Sequence, residues 1–184
     1  MQFENKDTFE QHNVFGMGKP NTAYVRYFVG DSFLNPLTDP QCGLFAANVT
    51  FAPGCRNNWH IHHAKRGGGQ LLICTAGEGW YQEEGKDAVC LHEGSVILIP
   101  ANVKHWHGAK KNSWFSHIAV EVPGEDCTNE WCEPVSDAEY DMEKRTLWRR
   151  LYRRQAEIFL ENLLRNLLIL MMIFSLGRIG ITKI

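Results

Sequence analysis

Short apolar runs separated by turn residues dominate the chain between positions 44 and 122. Runs of about four to eight residues that are rich in Val, Ile, Leu and aromatic residues and are bounded by Gly or Pro are typical of β-strands. Such strands are predicted at 22–29, 44–51, 70–75, 79–82, 88–91, 96–99 and 114–122. Many short strands at this spacing favour an all-β sandwich or barrel.

The pattern changes to a helical one toward the C-terminus. Ser136 is followed three residues later by Glu139, a capping-box pattern that predicts the start of a helix. Residues 146–176 continue in a helical pattern that includes the apolar run 167–174. That run is shorter than the roughly 18–20 residues that a membrane-spanning helix needs. We therefore expect this amphipathic segment to associate with itself, with packing on the barrel and contact with a membrane surface as the alternatives.

These patterns divide the chain into three parts. Residues 1–43 form a strand and loop that pack on the barrel, residues 44–144 form the barrel with a short helical segment at its C-terminal end, and residues 145–184 form a basic and apolar helical tail whose role stays open. The tail carries eight basic and two acidic residues, whereas the rest of the chain has a net charge of −8. An acidic body argues against a nucleic-acid partner.

Cysteine usage bears on the cellular compartment. The chain has six cysteines and no Cys-x-x-Cys pair, and its polar N-terminus does not have the pattern of a secretory signal. We therefore expect reduced thiols in a cytoplasmic protein.

Histidines in two separate stretches carry the candidate chemistry. His60 and His62 are two residues apart on a predicted strand, so their side chains point to the same face. Two imidazoles on one face form half of a divalent-metal site. His105 and His107, in the second stretch, are again two residues apart and share a face. The clustering therefore predicts one metal centre built from both stretches.

The spacing of these residues resembles the two motifs of the cupin superfamily. The residues in register are Gly54, His60, His62 and Gly77 for the first motif and Gly94, Pro100 and His105 for the second. The resemblance covers roughly residues 44–122. It implies a single cupin (jelly-roll) barrel that binds one divalent metal ion through His60, His62, His105 and a fourth ligand.

Three departures from the motifs affect this expectation. Gln70 stands where the family usually has Glu, a short insertion at 63–69 precedes it, and Asn102 replaces a motif Gly. The motif spacing and the preference of such sites for an oxygen donor favour Gln70 as the fourth ligand. His63 and water are the alternatives.

Gln70 and the run 104–108 resemble the corresponding residues of small single-domain cupins, a group that includes manganese-dependent hydroxynitrile lyases. Similar cupins are associated with carboxymuconolactone decarboxylase-like proteins. Mn, Fe, Zn, Ni and Co all tolerate such ligands, and the resemblance favours Mn. It also implies a homodimer, since small single cupins often pair.

The function expected from the residues and the resemblance is that of a metal-dependent enzyme on a small oxygen-bearing organic substrate. The metal would act as a Lewis acid, and His107 or His117 would act as general base. A carbon–carbon lyase of the hydroxynitrile lyase type is the specific expectation. An Fe-dependent dioxygenase and a non-catalytic metal or small-molecule binding module are the alternatives. His107 could instead orient a metal ligand.

Overall fold

The computed structural model of the chain describes residues 1–141, 152 and 154–165. Strands make up most of the described elements. They are β1 (Lys19–Pro20), β2 (Phe28–Val29), β3 (Ser32–Pro36), β4 (Ala46–Phe51), β5 (Arg56–Asn57), β6 (His60–His63), β7 (Arg66–Gly67), β8 (Gln70–Glu83), β9 (Val89–His92), β10 (Val96–Ile99), β11 (Lys104–Ala109), β12 (Phe115–Glu121), β13 (Gly124–Glu125) and β14 (Thr128–Trp131). Helices α1 (Lys6–His12) and α2 (Asp137–Tyr140) precede the helical residues of the tail, and 3₁₀ turns lie at Val25–Tyr27 and Pro40–Cys42.

The strands form a curled antiparallel sheet in the order β1-β3-β4-β12-β8-β11-β5-β2, in which β8 is shared between two halves. The first part of β8 pairs with β12 and β10, and its second part pairs with β11 and β9. Strand β6 lies between β11 and β14. The expected all-β jelly-roll fold with few helices is confirmed.

The predicted break between the strands at 70–75 and 79–82 is wrong. The structure has one continuous strand there, β8, with 14 residues. The break is instead a bend at Gly77, which has a φ of +75°. A Cβ atom there would lie 1.8 Å from the Trp114 carbonyl oxygen, so only Gly fits this close approach. The predicted strand at 22–29 is also largely wrong, since Val25–Tyr27 form a 3₁₀ turn and only β2 is extended.

The N-terminal segment covers one side of the barrel through a buried polar network. Asn48 on β4 donates to the Asn13 side chain at 3.1 Å and to the Gly16 carbonyl oxygen at 2.8 Å. Ser116 on β12 donates to the Asn48 oxygen at 3.0 Å and lies 2.9 Å from the Thr50 hydroxyl. This network lets β4 be buried on both faces while its polar groups stay paired.

The insertion at 63–69 contains the short strand β7, which pairs with β13. Asn102, which replaces the motif Gly, has a φ of +67°, in the left-handed region that Asn tolerates better than most residues. Its amide nitrogen donates to the Ala64 carbonyl oxygen at 2.9 Å. Asn102 therefore forms the turn, and its hydrogen bond holds the start of the insertion in place.

Six aliphatic side chains form an exposed patch on the outer face of the sheet, which we call the outer patch. They lie in two rows across β10, β8 and β12, namely Val96–Ile73–Ile118 and Leu98–Leu71–Val120. Val96 and Leu98 are 62% and 65% exposed. The other four side chains are half-buried. An apolar surface of this kind typically marks an interaction site.

The chain divides into two compact units, Met1–Ser136 and Asp137–Ile184. In the second unit, α2 begins directly after Ser136, and residues 152 and 154–165 are helical and exposed. The apolar run 167–174 and most of the basic residues of the tail lie outside the described residues. Within the part of the chain that the structure describes, no helix combines the length and apolar character needed to cross a bilayer. The boundaries predicted at 44 and 145 stay predictions.

Candidate metal centre and pocket

Three strands bring the predicted ligands together at one end of the barrel interior. His60 and His62 alternate inward on β6, and His105 on β11 lies directly opposite His60. The candidate ligand atoms of the three histidines all lie within 4.8 Å of one another. Gln70, at the start of β8, faces the same pocket as His60 and His62. The structure therefore gathers residues that are distant in the sequence into one possible metal site.

Hydrogen bonds to carbonyl groups fix the protonation of two of these imidazoles. The His60 Nδ1–H donates to the Asn58 carbonyl oxygen at 3.0 Å, and the His105 Nδ1–H donates to the Val103 carbonyl oxygen at 2.9 Å. In a neutral imidazole the other nitrogen then carries a free lone pair. Each ring thus presents Nε2 as the ligand atom, and the carbonyl partner sets its orientation.

The buried acceptors of this site lack partners among the residues that the structure describes. The Nε2 atoms of His62 and His105 and the Oε1 atom of Gln70 are buried without a hydrogen bond to any described group. Burying such atoms unpaired is unfavourable. A divalent cation that accepts the three lone pairs would remove this cost, so the donor set fits a metal ion with nitrogen and oxygen ligands.

Burial keeps the three histidines in the form that binds metal. Desolvation lowers the pKa of His105 to about 4 and lowers the pKa of His60 well below its usual value. Burial also lowers the pKa of His62. All three are therefore neutral near pH 7, as metal ligation by imidazole requires.

His63, the alternative fourth ligand, is engaged elsewhere. Its Nε2 atom lies 2.7 Å from the Glu130 carboxylate, and its Nδ1 atom lies 3.1 Å from the Asn102 amide oxygen. These bonds raise the pKa of His63. Because both ring nitrogens are already paired and the side chain is exposed, the arrangement favours Gln70 as the fourth ligand.

His107 and His117, the candidate bases, form a buried pair in which His107 Nδ1 lies 3.1 Å from His117 Nε2. The His107 backbone N–H donates to Asn57 Oδ1 at 2.9 Å, which orients the Asn57 amide group toward His107 Nε2 at 3.1 Å. Asn57 can therefore donate to Nε2, while His107 Nδ1–H donates to His117. Burial lowers the pKa of His117 to about 3 and that of His107 well below its usual value. Both rings are thus neutral near pH 7.

An open pocket of about 330 Å³ lies against this centre. Its apolar wall is formed by Tyr24, Phe28, Leu34, Phe45, Val49 and Trp131. Its polar lining is formed by Asn21, Asn57, His60, His62, Gln70, His107, Glu121 and Asn129. A mostly apolar pocket with a few convergent polar groups is typical of a small-molecule site.

Trp131 fixes the aromatic wall beside the histidines. Its ring stacks on Tyr27 with centroids 4.5 Å apart and on His60 with centroids 4.9 Å apart. The sequence analysis did not place Trp131 at the site. Trp131 reaches the pocket because β14 pairs with β6 and places it opposite His60, a long-range pairing that no local pattern signals.

Comparisons with known proteins identify the family of the chain. The family model described as Cupin domain matches residues 47–118. The chain is 39% identical over 116 residues to the (R)-mandelonitrile lyase of Granulicella tundricola, and the match covers 62% of this chain and 86% of that protein.

Two solved structures share the fold. A cupin-like protein from Thermotoga maritima is 36% identical, with a TM-score of 0.60, and the match covers 69% of this chain and 93% of that one. A predicted oxalate decarboxylase from Thermotoga maritima is 19% identical, with a TM-score of 0.50, and the match covers 56% of this chain and 91% of that one. The second likeness concerns the fold alone.

The metal centre predicts a specific loss of metal on mutation. The double variant His60→Ala/His62→Ala removes two ligands from one strand, so the purified protein should retain less than stoichiometric metal. His12→Ala, an exposed histidine on α1, is the matched control and should bind as much metal as the unchanged chain. Metal content is measured by elemental analysis after dialysis. One metal ion per chain in the double variant would contradict the assignment.

Proposed function

The chain belongs to the cupin family, and on that premise we propose that it is a metal-dependent carbon–carbon lyase acting on a small α-hydroxynitrile with an aromatic substituent. The observation that carries the proposal is the set of unpaired buried acceptors on His62, His105 and Gln70 at the base of a pocket with an aromatic wall. The likeness to an (R)-mandelonitrile lyase supports the choice of reaction.

His60, His62, Gln70 and His105 would hold the metal, with Mn favoured among the divalent ions that such ligands accept. When bound, the metal supplies Lewis acidity that stabilises negative charge on a substrate oxygen or on the departing cyanide. The four ligand side chains are neutral, so they leave the positive charge of the ion available for this role. The protein contributes the orientation of the ligands and a pocket that limits the access of water.

The pocket suits a substrate with one flat apolar group and one polar centre. Tyr24, Phe28 and Trp131 offer aromatic surfaces to a ring, while Asn57 and His107 line the same cavity with hydrogen-bonding groups. An aryl hydroxynitrile matches both features, because its ring buries apolar surface and its hydroxyl group needs polar partners.

In this reaction a base takes the hydroxyl proton, a carbonyl group forms, and the carbon–carbon bond to the nitrile breaks. The electron pair of that bond leaves with cyanide, which then takes up a proton to give hydrogen cyanide. His107 is the proposed acceptor at the pocket, once its Nε2 atom exchanges Asn57 for the substrate hydroxyl. His117, 3.1 Å behind it, can share the proton through the Nδ1–Nε2 contact. The pair thus distributes a charge that burial makes unfavourable on either ring alone.

The function itself is tested with (R)-mandelonitrile and its mirror image. We expect the metal-loaded chain to release benzaldehyde, followed by its ultraviolet absorbance, at the same rate under air and under nitrogen. Chelation should abolish turnover, and added Mn²⁺ should restore it. Oxygen consumption with an aromatic substrate would indicate a dioxygenase instead. Binding of these compounds without turnover would indicate a binding module, and either result would contradict the lyase proposal.

Replacement of the proposed base should separate chemistry from metal binding. A general base contributes about 10²–10⁴-fold to rate, so His107→Ala should lower kcat by this order while metal content stays complete. His117→Ala should lower kcat by a smaller factor, because His117 acts through His107. His92→Ala, an exposed histidine on β9, is the control. Unchanged turnover in both pocket variants would mean that the proton goes elsewhere.

We also propose a homodimer that buries the outer patch. The support is the two rows of aliphatic side chains on β10, β8 and β12, which are too apolar and too contiguous for an ordinary solvated sheet face. Symmetric pairing through one such patch is the commonest route to a closed oligomer. The cytoplasmic location expected from the cysteines stays a prediction.

Charge placed in the outer patch should dissociate the dimer. Val96→Lys/Leu98→Lys puts two ammonium groups into the proposed interface, so we expect a monomer in sedimentation equilibrium where the unchanged chain is a dimer. Val14→Lys alters another exposed valine, which is 85% exposed, and should leave the dimer intact. A dimer of unchanged stability in the double variant would place the interface on another surface.

A further inference from the structure

Two of the candidate metal ligands have polar neighbours directly across from them on adjacent strands. Asn129 on β14 is opposite His62, and Glu121 at the end of β12 is opposite Gln70. Directly opposed residues of an antiparallel pair project from the same face of the sheet. All four side chains accordingly line the same pocket.

The two neighbours are joined to each other. The Asn129 Nδ2 atom donates to the Glu121 Oε1 atom at 2.8 Å. This bond uses one N–H of the Asn129 amide, and the Asn129 side chain also forms a hydrogen bond with the His62 ring. Glu121, Asn129 and His62 thus form a continuous carboxylate–amide–imidazole chain.

The electrostatics of His62 reflect the same chain. Burial lowers the pKa of His62, while the Glu121 charge and the Asn129 hydrogen bond oppose that change. A carboxylate that acts on a ligating histidine from behind, directly or through another group, fixes the ring orientation and makes the ring a stronger donor.

Glu121 also changes the charge of the site. His60, His62, Gln70 and His105 are neutral, so a bound divalent ion would carry its full charge of 2+ if these were the only polar groups nearby. Glu121 brings one negative charge to the same pocket from the strand next to Gln70. Position 70 therefore has no carboxylate, but Glu121 on the neighbouring strand β12 provides one directly opposite it.

We propose that Glu121 supplies the negative charge of the metal centre from outside the ligand set and, with Asn129, positions His62 for metal binding. This inference rests on the proposed metal site. Glu121 is a positioning residue, because it acts through Asn129 and through its charge. This arrangement should raise the affinity for metal. Gln70 on β8 would remain the neutral oxygen ligand.

The test is a titration of the metal-free full chain with Co²⁺, followed by the visible absorption of the bound ion. Loss of a group behind a metal ligand typically weakens metal binding about 10- to 100-fold. We expect Glu121→Gln to weaken Co²⁺ binding by at least about tenfold, and Asn129→Ala to weaken it comparably. Glu93→Gln removes an exposed carboxylate from the turn between β9 and β10 and should bind Co²⁺ as the unchanged chain does.

Two combinations separate a positioning role from general damage to the fold. Glu121→Gln/Asn129→Ala should lose less affinity than the two single losses combined, because both act on His62 through one chain. Gln70→Glu/Glu121→Gln moves the carboxylate across the strand pair and should recover the affinity lost in Glu121→Gln.

The outcomes also distinguish this inference from the proposed function. If the unchanged chain binds no Co²⁺, the metal site itself is wrong. If the unchanged chain binds Co²⁺ and Glu121→Gln binds it equally well, the metal site stands and the role of Glu121 is overturned. Failure of the carboxylate at position 70 to restore binding would likewise overturn the charge argument.

Discussion

Leaving a buried hydrogen-bond acceptor unpaired costs about 1–3 kcal/mol, and this barrel gathers three such acceptors at one place. They are the Nε2 atoms of His62 and His105 and the Oε1 atom of Gln70. Their convergence depends on strand register, since a slip of one residue between β6 and β11 would turn the histidines to the opposite face. The pairing of β6, β8 and β11 is therefore the constraint on which the rest of the site depends, and a bound metal ion would offset its cost.

The insertion before Gln70 shows how the barrel tolerates a change inside a ligand-bearing segment. The extra residues leave the barrel as the short β7–β13 pair and return at Gln70, so β8 still begins at the ligand position. The Asn102 side chain donates a hydrogen bond to the Ala64 carbonyl oxygen, which holds the start of this extension in place. A surface extension costs little here, because its backbone groups find partners in β13 rather than competing with the core strands.

Local spacing explains which parts of the site could be predicted from the sequence. His60 and His62 share a face because of strand periodicity alone, and the fold followed from runs such as Val96–Ile99 that match their observed strands. Asn57, Trp131 and Asn129 could not be predicted, because their places depend on pairings between short strands that carry no distinctive pattern. The sequence predicted a break between two strands where β8 bends, and the reason is related. Glycine marks both turns and tight approaches, and only the contact with Trp114 distinguishes them.

The pocket combines chemical features that a shared fold does not specify. A likeness to a predicted oxalate decarboxylase at 19% identity concerns the barrel alone, and barrels of one kind host many reactions. What favours a neutral aromatic substrate here is the combination of an aromatic wall, which includes Trp131 and Phe28, with the polar group His107, which burial keeps uncharged. Glu121 lines the same pocket, so with a bound divalent ion it would leave the centre with a net charge of 1+ instead of 2+. Such a centre would attract an anionic substrate less strongly than one with four neutral ligands alone, and it would still stabilise the negative charge that develops when a neutral substrate releases an anion.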